Sequence, residues 1–313
     1  MSSLGLQTPQ EAERQAARRS ALDQREFERQ QVAAHYQESP EVFSLVLDSA
    51  LTYSTGIYLR PDEDLETAQR RKFEHVASLL AIRPGDRVLD VGCGWGSNLL
   101  YLAVHTEGRF HGITLSAQQA EELLRRARAS GLEDRVRVDV CHVEDLDLAA
   151  ESFDAVLFSG SIVHMRNRAE IHQTVARLLR PGGRLLISDC YFPGELRGDR
   201  SSQATEYIFY TTLGYCLLLN LHQELGLIEQ AGLDIFYVRD LTRSYVHTLG
   251  AWIDNIRRHR DDVERLAPGF AAVLQGYMTV AKLSFQRRTA LEYLILAVKG
   301  EPRGGFGAGP ETA

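Results

Sequence analysis

Between residues 83 and 190 the apolar positions switch repeatedly between two periods. RVLDVG, RFHGITL, VRVDVCHV, FDAVLFSG and RLLISDC are short runs rich in Val, Leu, Ile and Phe, the pattern of strands. SNLLYLAVHT, SAQQAEELLRRARASG and AEIHQTVARLLR lie between them with apolar residues at helical spacing. The third of these helices is expected to close at Pro181-Gly182-Gly183. Upstream, Ala68, Phe73, Val76, Leu79 and Leu80 fit a helix over 66–82, ended by the turn Arg83-Pro84-Gly85-Asp86. Strands alternating with helices predict an α/β fold: a doubly wound, mostly parallel sheet covered on both faces.

After residue 190 the rhythm changes. Residues 191–285 read as mainly helical, and LDIFYVRDL and EYLILAVKG supply two late strands that return to the sheet. Four segments are therefore expected. They are an N-terminal helical segment and cofactor lid (1–65), an α/β core (66–190), a mainly helical substrate cap with a returning strand (191–285), and a final strand with a disordered tail (286–313). Residues 11–36 read as a charged helix, and 1–10 and 301–313 as tails rich in small and polar residues.

Composition narrows the class. The 313 residues carry a net charge of −7, without the basic excess of a nucleic-acid protein. Cys93, Cys141, Cys190 and Cys216 are scattered without a C-x-x-C pair, so neither zinc nor any other metal is expected, and a reduced, cytoplasmic protein is. The N-terminus is polar and charged, unlike a signal peptide. The longest apolar run, YIFYTTLGYCLLLNL, is interrupted by Thr, Gly and Asn and falls short of the ~20 residues of a membrane span. Stable membrane insertion is not expected. A homo-oligomer is left open.

The first strand runs into VLDVGCGWGS at 88–97. Gly92, Gly94 and Gly96 allow a tight turn and close backbone approach to a ligand. The spacing is not the G-x-G-x-x-G of a dinucleotide site, nor is it followed by the Gly-Lys-Ser/Thr of a phosphate loop. Asp90, just before the turn, repels a diphosphate and attracts a cationic amine or sulfonium.

These residues resemble the first motif of class I S-adenosylmethionine-dependent methyltransferases. The likeness continues through GITLS, FDAVLFSGSIVHM and LLRPGGRLLISD. A narrower resemblance spans about 31–300. AHYQESPEVFSLVLDSALTYSTGIY, LETAQRRKFEHV, SYVHTLGAWIDNIRRHRDDV and SFQRRTALEYLILAVKG are similar to segments of cyclopropane fatty acid synthases and mycolic acid cyclopropane synthases. The resemblance implies S-adenosylmethionine as cofactor. It implies that Tyr53 and Ser54 meet the methionine end, that Gly92, Gly94 and Gly96 line methionine and ribose, and that Thr114, Leu115 and Gln119 cover the ribose. It places Val143 and Glu144 at the adenine.

The departures from that family concern chemistry. The resemblance implies a bicarbonate base, but at its site the family's Cys becomes Thr55, its acid Val163 and its His Ser188; only the late Tyr persists, as Tyr245. Sterol and prenyl diphosphate C-methyltransferases place a Glu near the fourth strand, where Ser159, Gly160, Ser161, Ile162 and Val163 carry no carboxylate. A base, where one is needed, is expected among His164, Glu170, Glu206 and His222, with the role of Asp189 open. The cap stretch around Tyr207, Phe209 and Tyr210, apolar around much of a helix, is either a buried core or dimer helix or a lid over a lipophilic acceptor. With Ile162 it forms the expected acceptor site. The expected function is a methyltransferase acting on a small, largely apolar natural product, isoprenoid or lipid, without bicarbonate-dependent cyclopropanation. The alternative is a protein of the same fold that binds the cofactor and cyclises a substrate without transferring methyl.

Overall fold

The computed structural model describes residues 39–194 and 216–300. The expectations for residues 1–38 and 301–313, and for Glu206, Tyr207, Phe209 and Tyr210, lie outside the described residues.

Seven strands form one sheet in the order β3-β2-β1-β4-β5-β7-β6. They are β1 (Arg87–Val91), β2 (Arg109–Thr114), β3 (Val136–Val140), β4 (Phe153–Ser159), β5 (Leu179–Tyr191), β6 (Asp234–Asp240) and β7 (Leu291–Val298). The first five pair in parallel, while β7 runs antiparallel to both β5 and β6. Burial follows position. The interior strand FDAVLFS is buried at every residue but its last, whereas the edge strand DIFYVRD alternates between half-buried and exposed. Apolar runs are what a strand needs with helices on both faces; alternation suits an edge.

The described helices are α1 (Pro40–Ser44), α2 (Leu65–Leu80), α3 (Ser97–His105), α4 (Ala117–Ala129), α5 (Arg168–Leu178), α6 (Leu221–Gln230), α7 (Thr242–Arg258), α8 (Arg260–Leu266) and α9 (Phe270–Gln286). Local chemistry sets their starts. Asp64 caps α2 by accepting the Thr67 N–H at 2.7 Å, and Ser116 caps α4 by accepting the Gln119 N–H at 3.3 Å. Among the described residues, no helix is long and apolar enough to cross a membrane.

One boundary differs from the sequence expectation. Pro181-Gly182-Gly183 does not close α5, which ends at Leu178; strand β5 already begins at Leu179. Pairing jumps from Phe153–Leu179 to Ala155–Arg184, so the Pro-Gly-Gly residues bulge out of the strand rather than capping the helix.

The order reverses between β1 and β4, whose connections leave on opposite sides. This opens a crevice at their carboxyl ends, where ligands of such sheets bind. Two elements wall it. The segment 51–58 is pinned to α7 by Gly56 N–H to Thr248 Oγ1 (3.0 Å) and Tyr58 N–H to Ser244 Oγ (3.1 Å). It is pinned to α2 by Gln69 Nε2 donating to the Ser54 carbonyl (2.9 Å). Behind it, Val42, Phe43 and Val46 share an apolar core with Trp95, Trp252 and Met278. That core ties the N-terminal segment, the glycine turn and the α7–α9 cap into one body.

Candidate functional site

Three cavities meet at the carboxyl end of β1 and β4. The first is lined by Gly92, Gly94, Thr114, Leu115, Gln119 and Val143, among others. The second is lined by Tyr53, Ser54, Asp90, Gly94, Trp95 and Asn98, with Gln119 on the shared wall. The third lies under the cap. Its wall includes Tyr53, Val163, Asp189, Tyr245, Trp252 and Glu292. Gly160 belongs to all three, and Tyr53 and Ser54 join the second to the third.

The glycine turn divides its labour. All three glycines have positive φ: 74° at Gly92, 54° at Gly94 and 80° at Gly96. A Cβ at Gly92 would sit 2.5 Å from the Ser161 Cβ, and one at Gly96 2.4 Å from the Leu123 side chain. These two let the turn pack against its neighbours. A Cβ at Gly94 would meet only Gln119 Nε2, at 4.0 Å, and would otherwise point into open cleft. Gly94 is therefore the one glycine of the turn that faces open cleft.

Gln119 and Thr114 supply the polar rim. Thr114 Oγ1 donates to Gln119 Oε1 at 2.7 Å, which fixes the amide orientation. Gln119 is 1% exposed, and its Nε2 has no partner among the described residues. A buried donor without a partner is costly, so it calls for an acceptor in the cleft. Trp95 Nε1 and Asn98 Oδ1, on the second cavity, are likewise buried and unsatisfied among the described residues.

The charged floor is a buried cluster. Asp90 is 3% exposed, and burial raises its carboxyl to about 7 against the pull of Lys72. Burial lowers the Lys72 ammonium to about 7, opposed by the nearby Asp48, Glu292 and Asp90. Lys72 Nζ donates to Ser54 Oγ at 3.0 Å, and Ser159 Oγ donates to the same oxygen at 3.2 Å. Asp48 turns the chain above by accepting Thr52 N–H at 2.6 Å and Thr52 Oγ1 at 2.9 Å. Lys72, Asp48, Trp95 and Asn98 escape sequence reading. For Lys72 the one available signal is a lysine on the inward face of a helix, four residues before Val76.

The adenine end is less complete than expected. Val143 and its neighbour His142 line the first cavity, but Glu144 does not. Glu144 Oε1 instead accepts from Asn167 Nδ2 at 2.8 Å.

Several expected acceptor and base residues are corrected. Ile162 is fully buried with Phe158, Ile171 and Val175 beneath α5, so it belongs to the sheet core. Glu170 is exposed on the first turn of α5, because Ile171, His172 and Val175 take the inward face. His222 is exposed on α6. None of the three lines a described cavity. His164 lies on the first and third cavities, and Tyr245 lies on the third. Asp189, 1% exposed, accepts the N–H groups of Ile162 (2.9 Å), Val163 (3.3 Å) and Cys190 (2.8 Å). It thereby shapes the short turn that carries His164.

The far wall is anchored at a distance. Arg168 reaches from α5 to Glu224 on α6 and donates through Nη2 to the Leu217 carbonyl at 2.8 Å. Leu217 N–H in turn donates to the Val163 carbonyl at 2.6 Å. Cys216 is thus held at the cavity, its Sγ 3.7 Å from His164 Nδ1.

Comparison with known proteins places this architecture. The family model for mycolic acid cyclopropane synthetase matches residues 23–293. A protein of Mycobacterium tuberculosis named as a fatty acid methyltransferase is 32% identical over 277 residues, which are 86% of this chain and 62% of the relative. The chain thus spans somewhat under two thirds of that relative's length. The methyltransferase GfsG of Streptomyces halstedii is 33% identical over 214 residues, 68% of this chain and 76% of the relative. Among solved structures, the cyclopropane synthase MmaA2 of Mycobacterium tuberculosis superposes with a TM-score of 0.80 at 22% identity, covering 87% of this chain and 98% of that one. The glycine turn, the crevice above it and the match over 23–293 together establish that the chain belongs to the mycolic acid cyclopropane synthetase family.

Proposed function

We propose that the protein is an S-adenosylmethionine-dependent methyltransferase for a small, largely apolar acceptor, working without a bicarbonate base. The observation that carries this reading is the junction of the second and third cavities at Tyr53, Ser54 and Gly160. A donor space with an open glycine, an orphan amide and a buried acid opens directly onto a space walled by aromatic side chains. When bound, S-adenosylmethionine supplies an electrophilic methyl group. Asp90 holds the cationic end, Gly94 admits the ligand to the backbone, and Gln119 Nε2 donates to a ribose hydroxyl. Tyr53, Tyr245 and Trp252 exclude water and shape the acceptor, which holds the reacting atoms in line. The name of a relative in fatty acid methylation supports the acceptor class.

Gln119→Leu is expected to weaken S-adenosylhomocysteine binding about tenfold, the worth of roughly 1.4 kcal/mol. The loss should shrink for a 2′,3′-dideoxy analogue, measured by calorimetry. An equal loss for both ligands places the amide elsewhere.

The family resemblance implies that Thr55, Val163 and Ser188 replace the groups that hold bicarbonate. Methyl transfer from a labelled donor should therefore keep its rate after strict bicarbonate removal. A fall restored by adding bicarbonate back overturns this part of the reading. The same assay separates transfer from cyclisation, because a cyclase consumes no labelled donor.

A further inference from the structure

The acceptor cavity contains a carboxyl group that no motif announces. Glu292 sits on β7, 3% exposed, in an otherwise apolar strand. β7 runs antiparallel to β5 with Cys190 directly opposite Glu292. Directly opposed residues and those two positions along share a face, so Ser188, Cys190 and Glu292 point the same way. Ser188 Oγ donates to Glu292 Oε1 at 3.0 Å, and Cys190 Sγ donates to Oε2 at 3.2 Å. The carboxyl is thus fixed at the cavity wall, with Tyr53, Tyr245, Trp252 and Tyr277 around the same space. Ser188 stands where the family resemblance implies a His of the bicarbonate site, and here its hydroxyl orients a protein carboxyl instead.

The geometry points to Glu292 as the proton acceptor of this cavity, serving an alkene carbon of an apolar acceptor that becomes cationic on methylation. This rests on the methyltransferase reading. The step balances without a further reactant. The alkene π pair forms the new C–C bond while the S–CH3 pair stays on sulfur. The resulting carbocation gives the proton of an adjacent C–H to the Glu292 carboxylate, and that C–H pair becomes the new double bond. The aromatic faces stabilise the intermediate cation by their quadrupoles. The protonated Glu292 returns its proton to water when product leaves.

Electrostatics agree with the geometry. Burial raises Glu292 to about 8, with Asp189 adding to the rise and Ser188, Cys190 and Lys72 opposing it. The titratable and charged groups around it are Cys190 from β5, Asp189 on the other face of that strand, Lys72 from α2, Tyr245 from α7, Tyr277 from α9, and Tyr53, His164 and Cys216 on the cavity wall. A cation arriving beside it favours the carboxylate. Cation binding should therefore tighten as pH rises through about 8.

The test uses dodecyltrimethylammonium, a permanent cation on an apolar chain, with dodecanol as its neutral counterpart. Both are titrated calorimetrically into the full chain saturated with S-adenosylhomocysteine, and into the chain alone, between pH 6 and 9. Wild type should bind the ammonium probe at least tenfold tighter at pH 9 than at pH 6, with dodecanol unchanged. Glu292→Gln should lose that pH dependence, and Glu292→Asp should keep most of it. A pH-independent ammonium affinity in wild type, or the same rise in Glu292→Gln, overturns the proposal. Unaltered S-adenosylhomocysteine binding in Glu292→Gln certifies its fold. If wild type binds no S-adenosylhomocysteine, the methyltransferase reading fails, while the probe titrations of the chain alone still decide whether Glu292 receives a cation.

Discussion

Gly94→Val should reduce S-adenosylhomocysteine affinity by more than a hundredfold while leaving the sheet intact. Two effects act at this position. Gly94 has φ of 54°, a conformation that a β-branched residue adopts only under strain. Its added Cβ also projects into the cleft, with Gln119 Nε2 at 4.0 Å as the one protein atom in reach. The strain acts on stability and the intrusion on binding, so the two can be separated. Gly85 has φ of 82° with nothing within 4 Å of an added Cβ, in the turn before β1 and away from the cleft. Gly85→Val should show a comparable loss of thermal stability and unchanged affinity. If Gly94→Val binds S-adenosylhomocysteine like wild type, the ligand does not approach the backbone there.

The same residue illustrates what sequence patterning conveys. VLDVGCGWGS is legible because a strand period, three closely spaced glycines and an acid occur together in ten residues. Each has a local physical meaning that no tertiary contact is needed to decode. The α/β order is legible for the same reason: strand and helix periods are local, and the interior strands show the continuous apolar runs that two-sided burial demands. Gly92 and Gly96 are less transparent. Their need for glycine comes from Ser161 and Leu123, each of which lies more than twenty residues away.

The chemistry of the third cavity was not legible, and the reason is topological. Glu292 lies within LEYLILAV, where a single acid in an apolar strand looks like a solvated edge position. Only the antiparallel placement of β7 against β5 brings it opposite Cys190 and beside Ser188. Glu170 failed in the opposite sense. It is close in sequence to the fourth strand, but the phase of α5 turns it outward. Proximity along the chain says nothing about which helical face a side chain takes, while the spacing of Ile171, His172 and Val175 does. Lys72 combines both difficulties. Its helical phase predicts burial, but its partners Ser54, Asp48 and Asp90 come from three different places in the chain.

Asp90→Asn should make the protein more stable and a poorer binder. Asp90 is an acid whose folded value is raised by burial to about 7 from 3.8, with Lys72 opposing the rise. A raised carboxyl binds more protons folded than unfolded between those two values, so its contribution to stability falls as pH rises through that window. Above about 7 the ionised form is buried at a cost that asparagine does not carry. The variant should therefore gain stability at pH 7.5, on the order of 2 kcal/mol, and lose the fall in stability expected of wild type between pH 4 and 7. Binding should move the other way. A ligand carrying an ammonium and a sulfonium prefers the ionised acid, so wild-type affinity should climb as pH rises toward 7 and level off above it. Asp90→Asn should flatten that climb and cost about thirtyfold in S-adenosylmethionine affinity at pH 7.5, with a smaller loss for S-adenosylhomocysteine, which lacks the sulfonium charge. Thermal melts and calorimetry over pH 5–9 read both signs in one series. A variant that loses stability and affinity together shows that Asp90 holds the fold through Lys72 rather than holding the ligand, because only a group kept for binding at the expense of folding gives opposite signs.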